Sequence, residues 1–206
     1  MMNEAFRVLR TNIDLMLGKK ERSHVIMFTS FLPAAGKTFS IMNLAASMAL
    51  KKSKVIIVDL DLRKATLTKT FGKQHSGVAA YLNGKMDDYH SCIDELSSDL
   101  FLLPIGTLPP NPTELLLTER FGKMIDELRK EYDYVFLDCP PIDIVADASI
   151  VTEKVDMTVF VLRAGRIDKS SLPYVEELYR NGKYKHMAMI INSVELLAKK
   201  YGYGRR

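Results

Sequence analysis

Several features that mark other classes of protein are absent from this chain of 206 residues. It has only two cysteines, Cys92 and Cys139, which are too few for a disulfide framework and too far apart in sequence for a closely spaced metal motif. No apolar run approaches the roughly 18 residues of a membrane-spanning helix, and there is no signal-type start, so we expect no transmembrane segment. The histidines argue against a zinc site, because all four are scattered: His24, His75, His90 and His186.

The chain also lacks a strong charge of either sign, since 29 Lys and Arg stand against 25 Asp and Glu. The resulting net charge of +4 does not indicate a nucleic-acid partner. Basic residues are concentrated late in the chain, with ten Lys and Arg against four Asp and Glu from Arg163 to Arg206. This segment is either a solvated basic surface or a face that meets phosphates, acidic neighbours or a membrane surface.

Continuous apolar runs alternate with segments of helical periodicity. We expect strands at 24–29, 54–59, 100–104, 134–138, 156–162 and 187–192. We expect helices at 3–17, 37–51, 113–118, 119–131, 146–154, 170–181 and 194–200, whereas the segment 65–99 has weak periodicity. This order predicts an α/β fold with a parallel β-sheet sandwiched by helices. No linker or internal repeat interrupts it, so we expect a single domain over 1–206.

The stretch from Phe28 to Thr38 is the most informative part of the chain. An apolar strand precedes a loop of small residues, and Gly36-Lys37-Thr38 then opens a helix-like segment. This arrangement holds the phosphates of a nucleotide, because loop N–H groups and the helix N-terminus face the phosphate oxygens. We expect Lys37 to reach the β/γ-phosphates and the Thr38 hydroxyl to bind Mg²⁺. The first glycine of G-x-x-x-x-G-K-S/T is missing, since Phe31 stands in its place.

Carboxylates follow two further predicted strands. Asp59 and Asp61 end one of them, and Asp138 ends another, directly before a cysteine and two prolines. Because the carboxyl ends of parallel strands face one crevice, we expect all three carboxylates to converge near Thr38 and the metal. A single aspartate of this kind is as often a turn former or a helix cap. Three of them together with the Gly-Lys-Thr loop favour a nucleotide site.

Taken together, these motifs resemble the deviant Walker type of P-loop NTPase. Within that group the chain resembles the cytoplasmic catalytic domain of bacterial tyrosine kinases for capsule and exopolysaccharide synthesis, from Glu4 to Tyr203. Glu4-x-x-Arg7-x-x-Arg10, within the segment 1–20, is similar to the oligomerisation helix of that family, although an ordinary surface helix with internal ion pairs is the alternative. The stretch 106–116 is similar to the family's G-x-x-P-P-N-P-x-E-L-L loop, for which a structural role suffices.

The resemblance implies an ATP- and Mg-dependent protein-tyrosine kinase with these site residues. It implies that Lys37, Asp59 and Asp61 are catalytic, with Asp59 as the base or orienter of the acceptor hydroxyl. It implies that Thr38, Asp61 and Asp138 hold the metal. The nucleotide contacts that it implies, with the last one toward adenine, are Pro33, Ala34, Ala35, Gly36, Lys37, Thr38, Phe39 and Asn192.

The loop also bears on the alternatives. Ala34 and Ala35 stand where the family more often has glycine and then glutamate, and alanine takes a positive φ less freely than glycine. This leaves open a degraded P-loop domain that acts as a scaffold in polysaccharide export. A second alternative is a partition or cell-division nucleotide-switch ATPase. The phosphate loop of those proteins resembles K-G-G-x-G-K-S/T, in which the first lysine is additional. This chain has Leu32-Pro33-Ala34 at the matching place and lacks that lysine.

The C-terminal segment 199–206 alternates tyrosine and glycine between basic residues, a composition typical of an exposed flexible end. By resemblance, Tyr201 and Tyr203 are a short version of the tyrosine cluster that a neighbouring subunit phosphorylates. The resemblance further implies a homo-oligomeric ring, an octamer in that family. It also implies a membrane-anchored polysaccharide co-polymerase activator domain, a cognate tyrosine phosphatase, and a cytoplasmic location at the inner face of the cell membrane.

Overall fold

A computed structural model describes residues 2–18, 23–61, 64–72, 76–110, 112–142, 151–166 and 172–194. Tyr201 and Tyr203 lie outside these residues. The helices predicted at 146–154 and 194–200 lie largely outside them, so their assignments stay predictions. Among the described residues, no helix is both long enough and apolar enough to cross a membrane.

Strands and helices alternate through the described residues. The strands are β1 (His24–Thr29), β2 (Val55–Asp59), β3 (Asp94–Ser97), β4 (Leu100–Leu103), β5 (Tyr134–Asp138), β6 (Met157–Arg163) and β7 (Met187–Asn192). The helices are α1 (Met2–Leu17), α2 (Lys37–Ala49), α3 (Thr66–Phe71), α4 (Val78–Leu82), α5 (Pro112–Leu116), α6 (Glu119–Glu131) and α7 (Leu172–Arg180). The predicted bounds of β1, β5, β7 and α6 are confirmed, and the other predicted elements in this list differ by one or two residues at one or both ends. For α7 only the C-terminal end can be compared, because 170 and 171 lie outside the described residues.

The seven strands form one sheet in the order β3-β4-β2-β5-β1-β6-β7. Every neighbouring pair is parallel except β3 and β4, which are antiparallel. The predicted fold, a parallel sheet between helices, is therefore confirmed, and β3 is an addition to it. The turn between β3 and β4 contains Asp99 with a φ of 63°, a conformation that Asp tolerates better than most residues.

Both faces of the sheet are covered, because successive strand residues point to opposite sides. Val25 and Met27 of β1 pack with α4, α6 and α7 on one face. Ile26 and Phe28 pack with α2 on the other. Each strand of the centre is therefore apolar at consecutive positions, which is why it appears as a continuous apolar run in the sequence.

Helix α1 packs on the same side of the sheet as α2. Ile13 is buried at this contact, and Phe6, Leu9 and Leu17 pack around it, as the helical spacing of these residues predicts. Since α2 begins at Lys37 in the Gly-Lys-Thr motif, the N-terminal helix lies directly against the helix that leaves the candidate phosphate loop.

Candidate active site

The loop that follows β1 begins with a buried aromatic residue where a glycine is usual. Phe31 stacks on Phe160 of β6, with ring centroids 5.0 Å apart and planes inclined by 20°. The carbonyl of Ser30 accepts a hydrogen bond from the backbone N–H of Ile142 at 3.0 Å. Thr29 Oγ1 donates to the carbonyl of Pro140 at 2.7 Å. These contacts fix the start of the loop to β5 and β6 by packing and hydrogen bonds.

Two residues of the loop have left-handed backbone conformations. Gly36 has a φ of 91° and is the N-cap of α2. Ala34 has a φ of 59°, a conformation that the sequence suggested would be costly for alanine. Such a residue costs of order 1–3 kcal/mol and persists only where the surrounding structure holds it.

A cleft of about 320 Å³ opens over this loop at the carboxyl edge of the sheet. Eight of the predicted site residues line it: Pro33, Ala34, Ala35, Gly36, Lys37, Thr38, Phe39 and Asp61. Four lining residues were not predicted: Ser30, Lys64, Thr66 and Pro141. Thr66 lies in the region of weak periodicity and Lys64 directly precedes it, and the sequence gives no signal for a site at either residue. Asp59, Asp138 and Asn192 are close to the loop but are not part of the cleft wall.

Lys37 and Asp138 form a buried ion pair behind this cleft. The Lys37 ammonium group contacts Oδ1 of Asp138, and these residues are 9% and 1% exposed. Burial lowers the pKa of Lys37, and the negative charge of Asp61 opposes this effect. The predicted lysine is therefore paired with one of the predicted metal ligands.

Asp59 is completely buried next to Asp138, its partner in the register of β2 and β5. Its Oδ2 accepts hydrogen bonds from Thr68 N at 2.8 Å and from Thr68 Oγ1 at 2.7 Å, while its Oδ1 accepts one from Asp61 N at 3.1 Å. Burial raises the pKa of Asp59, and the hydrogen bonds from Thr68 oppose the rise. The carboxylate thus connects β2 to α3, and its role toward the acceptor hydroxyl stays a prediction.

The oxygen atoms around the cleft suit Mg²⁺. The side chains of Thr38 and Asp61 lie in the cleft wall, and Asp138 lies behind Lys37. Within the described part of the chain, no group of three or more His, Cys, Asp or Glu could hold a metal ion. Since Mg²⁺ keeps several waters and is commonly bound by one or two carboxylates together with substrate phosphates, these residues fit an ion that arrives with a nucleotide.

A larger cleft, of about 1030 Å³, lies at the opposite edge of the sheet. Arg129 in its wall donates to Asp156 Oδ2 at 2.8 Å and to the carbonyl of Ser23 at 2.9 Å. This arginine joins α6 to the amino ends of β1 and β6, so its contacts are structural. The larger volume does not make this cleft the active site. Among the described residues, the phosphate loop, Lys37 and the strand-end carboxylates occur together only at the smaller cleft.

The three predicted interface residues of α1 differ in their surroundings. Glu4 and Arg7 are exposed and 3.5 Å apart, an ordinary surface ion pair. Arg10 instead turns toward α2, where its Nη1 contacts the carbonyl of Ser47 and lies 3.3 Å from Ser47 Oγ. Glu4 and Arg7 are therefore accessible to another chain, while Arg10 fixes α1 to α2.

Comparisons with known proteins show which family the chain resembles. Residues 23–159 match a family model described as an AAA domain. The tyrosine-protein kinase CpsD of Streptococcus pneumoniae serotype 4 is 33% identical over 201 residues, which cover 97% of this chain and 87% of that protein. A putative tyrosine-protein kinase in the cps region of Klebsiella pneumoniae is 35% identical over 97% of this chain and 28% of that protein. The solved kinase domain of the Escherichia coli tyrosine kinase ETK has a TM-score of 0.85 and 30% identity, covering 99% of this chain and 80% of that one.

Proposed function

The chain belongs to the bacterial tyrosine-protein kinases of capsule and exopolysaccharide loci, and from this premise we propose that it transfers phosphate from ATP to Tyr201 and Tyr203 of a neighbouring copy. The observation that carries the proposal is the cleft at the carboxyl edge of the sheet, in which the loop 33–39 and Asp61 meet. Phosphoryl transfer requires alignment and charge neutralisation more than covalent chemistry, and this wall offers groups for both.

In the proposed complex, the phosphates lie against the loop N–H groups and the N-terminus of α2. The Lys37 ammonium group exchanges Asp138 for the β- and γ-phosphates. Because burial lowers the pKa of Lys37, the negative phosphates also help to keep this lysine protonated. Nucleotide binding therefore converts an internal ion pair into a contact with the substrate.

The remaining groups serve the metal and the acceptor. Thr38, Asp61 and Asp138 would hold Mg²⁺, which neutralises phosphate charge when it is bound. Asp59 is the candidate acceptor of the tyrosine proton, as the family resemblance implies. The two hydrogen bonds that Thr68 donates to Oδ2 would hold this carboxylate in a fixed orientation.

Incubation with γ-labelled ATP tests the proposed transfer. We expect label on tyrosine in the wild type, none in Lys37→Met, and normal labelling in Lys123→Met, a control at an exposed lysine of α6. Release of free phosphate without labelled protein would instead indicate a nucleotide-switch ATPase. A chain that binds no nucleotide would indicate a scaffold.

A mixture of two complementary variants, one without a working cleft and one without the tail tyrosines, tests transfer between copies. Lys37→Met retains its tail tyrosines, and Tyr201→Phe/Tyr203→Phe retains its cleft. We expect label on the Lys37→Met chain when the two are mixed, with a size tag to separate them. If the wild type is labelled but the mixture is not, transfer occurs within one chain.

The proposal includes a ring of copies joined through α1. The exposed Glu4 and Arg7 support this helix as an interface, and the octameric size comes from the family resemblance alone. By the same resemblance we propose a membrane-anchored co-polymerase activator domain and a tyrosine phosphatase as partners. The chain would then act in the cytoplasm, at the inner face of the membrane.

A further inference from the structure

Two side chains from neighbouring strand ends hold consecutive carbonyls of the phosphate loop. Arg163 ends β6 and Asn192 ends β7, and they are partners in the register of these two strands. Arg163 Nη1 donates to the carbonyl of Ala34 at 3.3 Å. Asn192 Nδ2 donates to the carbonyl of Ala35 at 3.2 Å. Both contacts join the edge of the sheet to the strained part of the loop.

We propose that Arg163 and Asn192 are positioning residues that turn the N–H groups of Ala35 and Gly36 toward the phosphates. A trans peptide is planar, and its N–H points away from its C=O. Fixing the carbonyl of Ala34 therefore fixes the N–H of Ala35, and fixing the carbonyl of Ala35 fixes the N–H of Gly36. This inference rests on the proposed nucleotide site.

The conformation of Ala34 shows why such a support is needed. Alanine at a φ of 59° is strained, and its return to an ordinary backbone conformation would change its ψ together with its φ, which rotates the peptide between Ala34 and Ala35. Rotation of this peptide would swing the N–H of Ala35 away from its present direction. The hydrogen bond from Arg163 opposes that rotation. A glycine at position 34 would hold the positive φ without strain, whereas Ala34 needs this support.

Asn192 contacts the loop on the side that faces away from the cleft. A Cβ atom added to Gly36 would lie 1.9 Å from Asn192 Nδ2, so the amide packs directly on the glycine. Gly36 lines the cleft, whereas Asn192 does not. The Oδ1 atom of Asn192 accepts a hydrogen bond from the backbone N–H of Ser193 at 2.8 Å, which orients the amide. This placement favours an action on the phosphates through the loop over the contact with adenine that the family resemblance implies.

Affinity for ATP and for tripolyphosphate, measured by calorimetry, distinguishes these two actions. Removal of one hydrogen bond to the loop corresponds to about fivefold weaker binding. We therefore expect Arg163→Ala and Asn192→Ala each to bind both ligands about fivefold more weakly. Arg180→Ala is the matched control, because it removes the same charge from an exposed arginine at the end of α7 and should leave both affinities unchanged. Thermal melts establish that each variant is folded, and Arg163→Gln replaces Arg163→Ala if the latter unfolds.

A second substitution tests the strain directly. Ala34→Gly removes the cost of the positive φ, so Arg163→Ala should weaken binding much less in the Ala34→Gly background than in the wild type. An equal loss in both backgrounds would show that Arg163 acts as a charge and not through the loop conformation. It would overturn the assignment of Arg163.

The remaining outcomes separate this inference from the proposed function. If Asn192→Ala weakens ATP but not tripolyphosphate, the amide contacts the nucleoside and its positioning role is wrong. If the wild type binds ATP and neither variant changes the affinity, the inference alone is overturned. If the wild type binds no ATP, the nucleotide site and the inference fail together.

Discussion

At the scale of single residues, Thr68 links three parts of the site. Its hydroxyl donates to Asp59 and accepts a hydrogen bond from the backbone N–H of Ile105 at 2.9 Å. Thr68→Val keeps the shape of the side chain but removes both bonds, and it leaves a buried carboxylate with fewer donors. We expect unfolding by urea to show a loss of about 1–3 kcal/mol in stability.

Thr70→Val is the matched control for this change. The Thr70 hydroxyl donates to the carbonyl of Thr66 at 2.8 Å on the exposed side of the same helix. We expect that variant to change stability by no more than about 0.5 kcal/mol, as for most surface substitutions. Equal losses of stability in the two variants would show that the hydrogen bond between Thr68 and Asp59 contributes no more than an ordinary surface hydrogen bond.

His90 gives a prediction for pH. Its ring nitrogens lie 2.7 Å from Asp88 Oδ1 and 2.9 Å from Glu131 Oε1. Partial burial lowers the pKa of His90, but the hydrogen bonds to Glu131 and Asp88 outweigh it, and the pKa is raised above 6.5. The stabilisation is therefore complete below pH 6.5 and is lost as the pH rises through the higher pKa of the folded state.

Urea unfolding from acid to mildly alkaline pH measures this effect. The stability difference between the wild type and His90→Gln should shrink as the pH rises. The change is modest because the side chain is partly exposed and its charge is screened. A difference that is constant over the whole pH range would contradict the assignment.

The residues of the site divide into those that the sequence predicts and those that it cannot. Lys37, Thr38 and Asp61 belong to short local motifs, and the structure places all three in one cleft wall. Thr68 and Arg163 carry no such signal, because their partners are distant in sequence or lie in the loop backbone. Their roles depend on which strand ends the fold brings together.

At the scale of the element, the two arginines of α1 are predicted to behave differently. Arg10 contacts Ser47 of α2, so Arg10→Ala should lower stability by about 1–3 kcal/mol. Arg7 pairs only with Glu4 among its described contacts, and a surface pair of this kind contributes about 1 kcal/mol or less. Arg7→Ala should therefore leave the unfolding free energy nearly unchanged.

Light scattering completes the comparison of these variants. If α1 is the interface, Arg7→Glu shifts the protein toward smaller species while the fold stays intact. An unchanged oligomer in Arg7→Glu would remove this face of α1 from the interface. Loss of stability in Arg7→Ala equal to that in Arg10→Ala would contradict the division between an outer and an inner arginine.

Elements with a clear apolar pattern are predicted from the sequence better than elements without one. The bounds of β1 and α6 are confirmed because an apolar run or a helical apolar stripe defines each of them. The elements α3, α4 and β3 contain only four to six residues each and fall in the region of weak periodicity. Their conformation depends on packing and on special backbone angles, such as the φ of 49° at Ala65 before α3.

At the scale of the whole molecule, phosphorylation is predicted to weaken assembly. Each phosphate adds a charge of about −1.5 to −2 to a tail that would enter a neighbour's cleft beside Asp61. We expect phosphorylated protein to form smaller species by light scattering than unphosphorylated protein. Tyr201→Phe/Tyr203→Phe should show no change on incubation with ATP, and identical distributions for phosphorylated and unphosphorylated wild type would rule out the coupling.

Mass spectrometry of tyrosine phosphorylation shows whether the cleft around Lys37 delivers phosphate to the tail. After incubation with ATP and Mg²⁺, phosphotyrosine should appear at Tyr201 and Tyr203 in the wild type and be absent in Lys37→Met. Tyr179, an exposed tyrosine of α7, is the internal control and should stay unmodified. Equal phosphorylation of the wild type and Lys37→Met, or none at the tail in the wild type, would show that this cleft does not phosphorylate the tail.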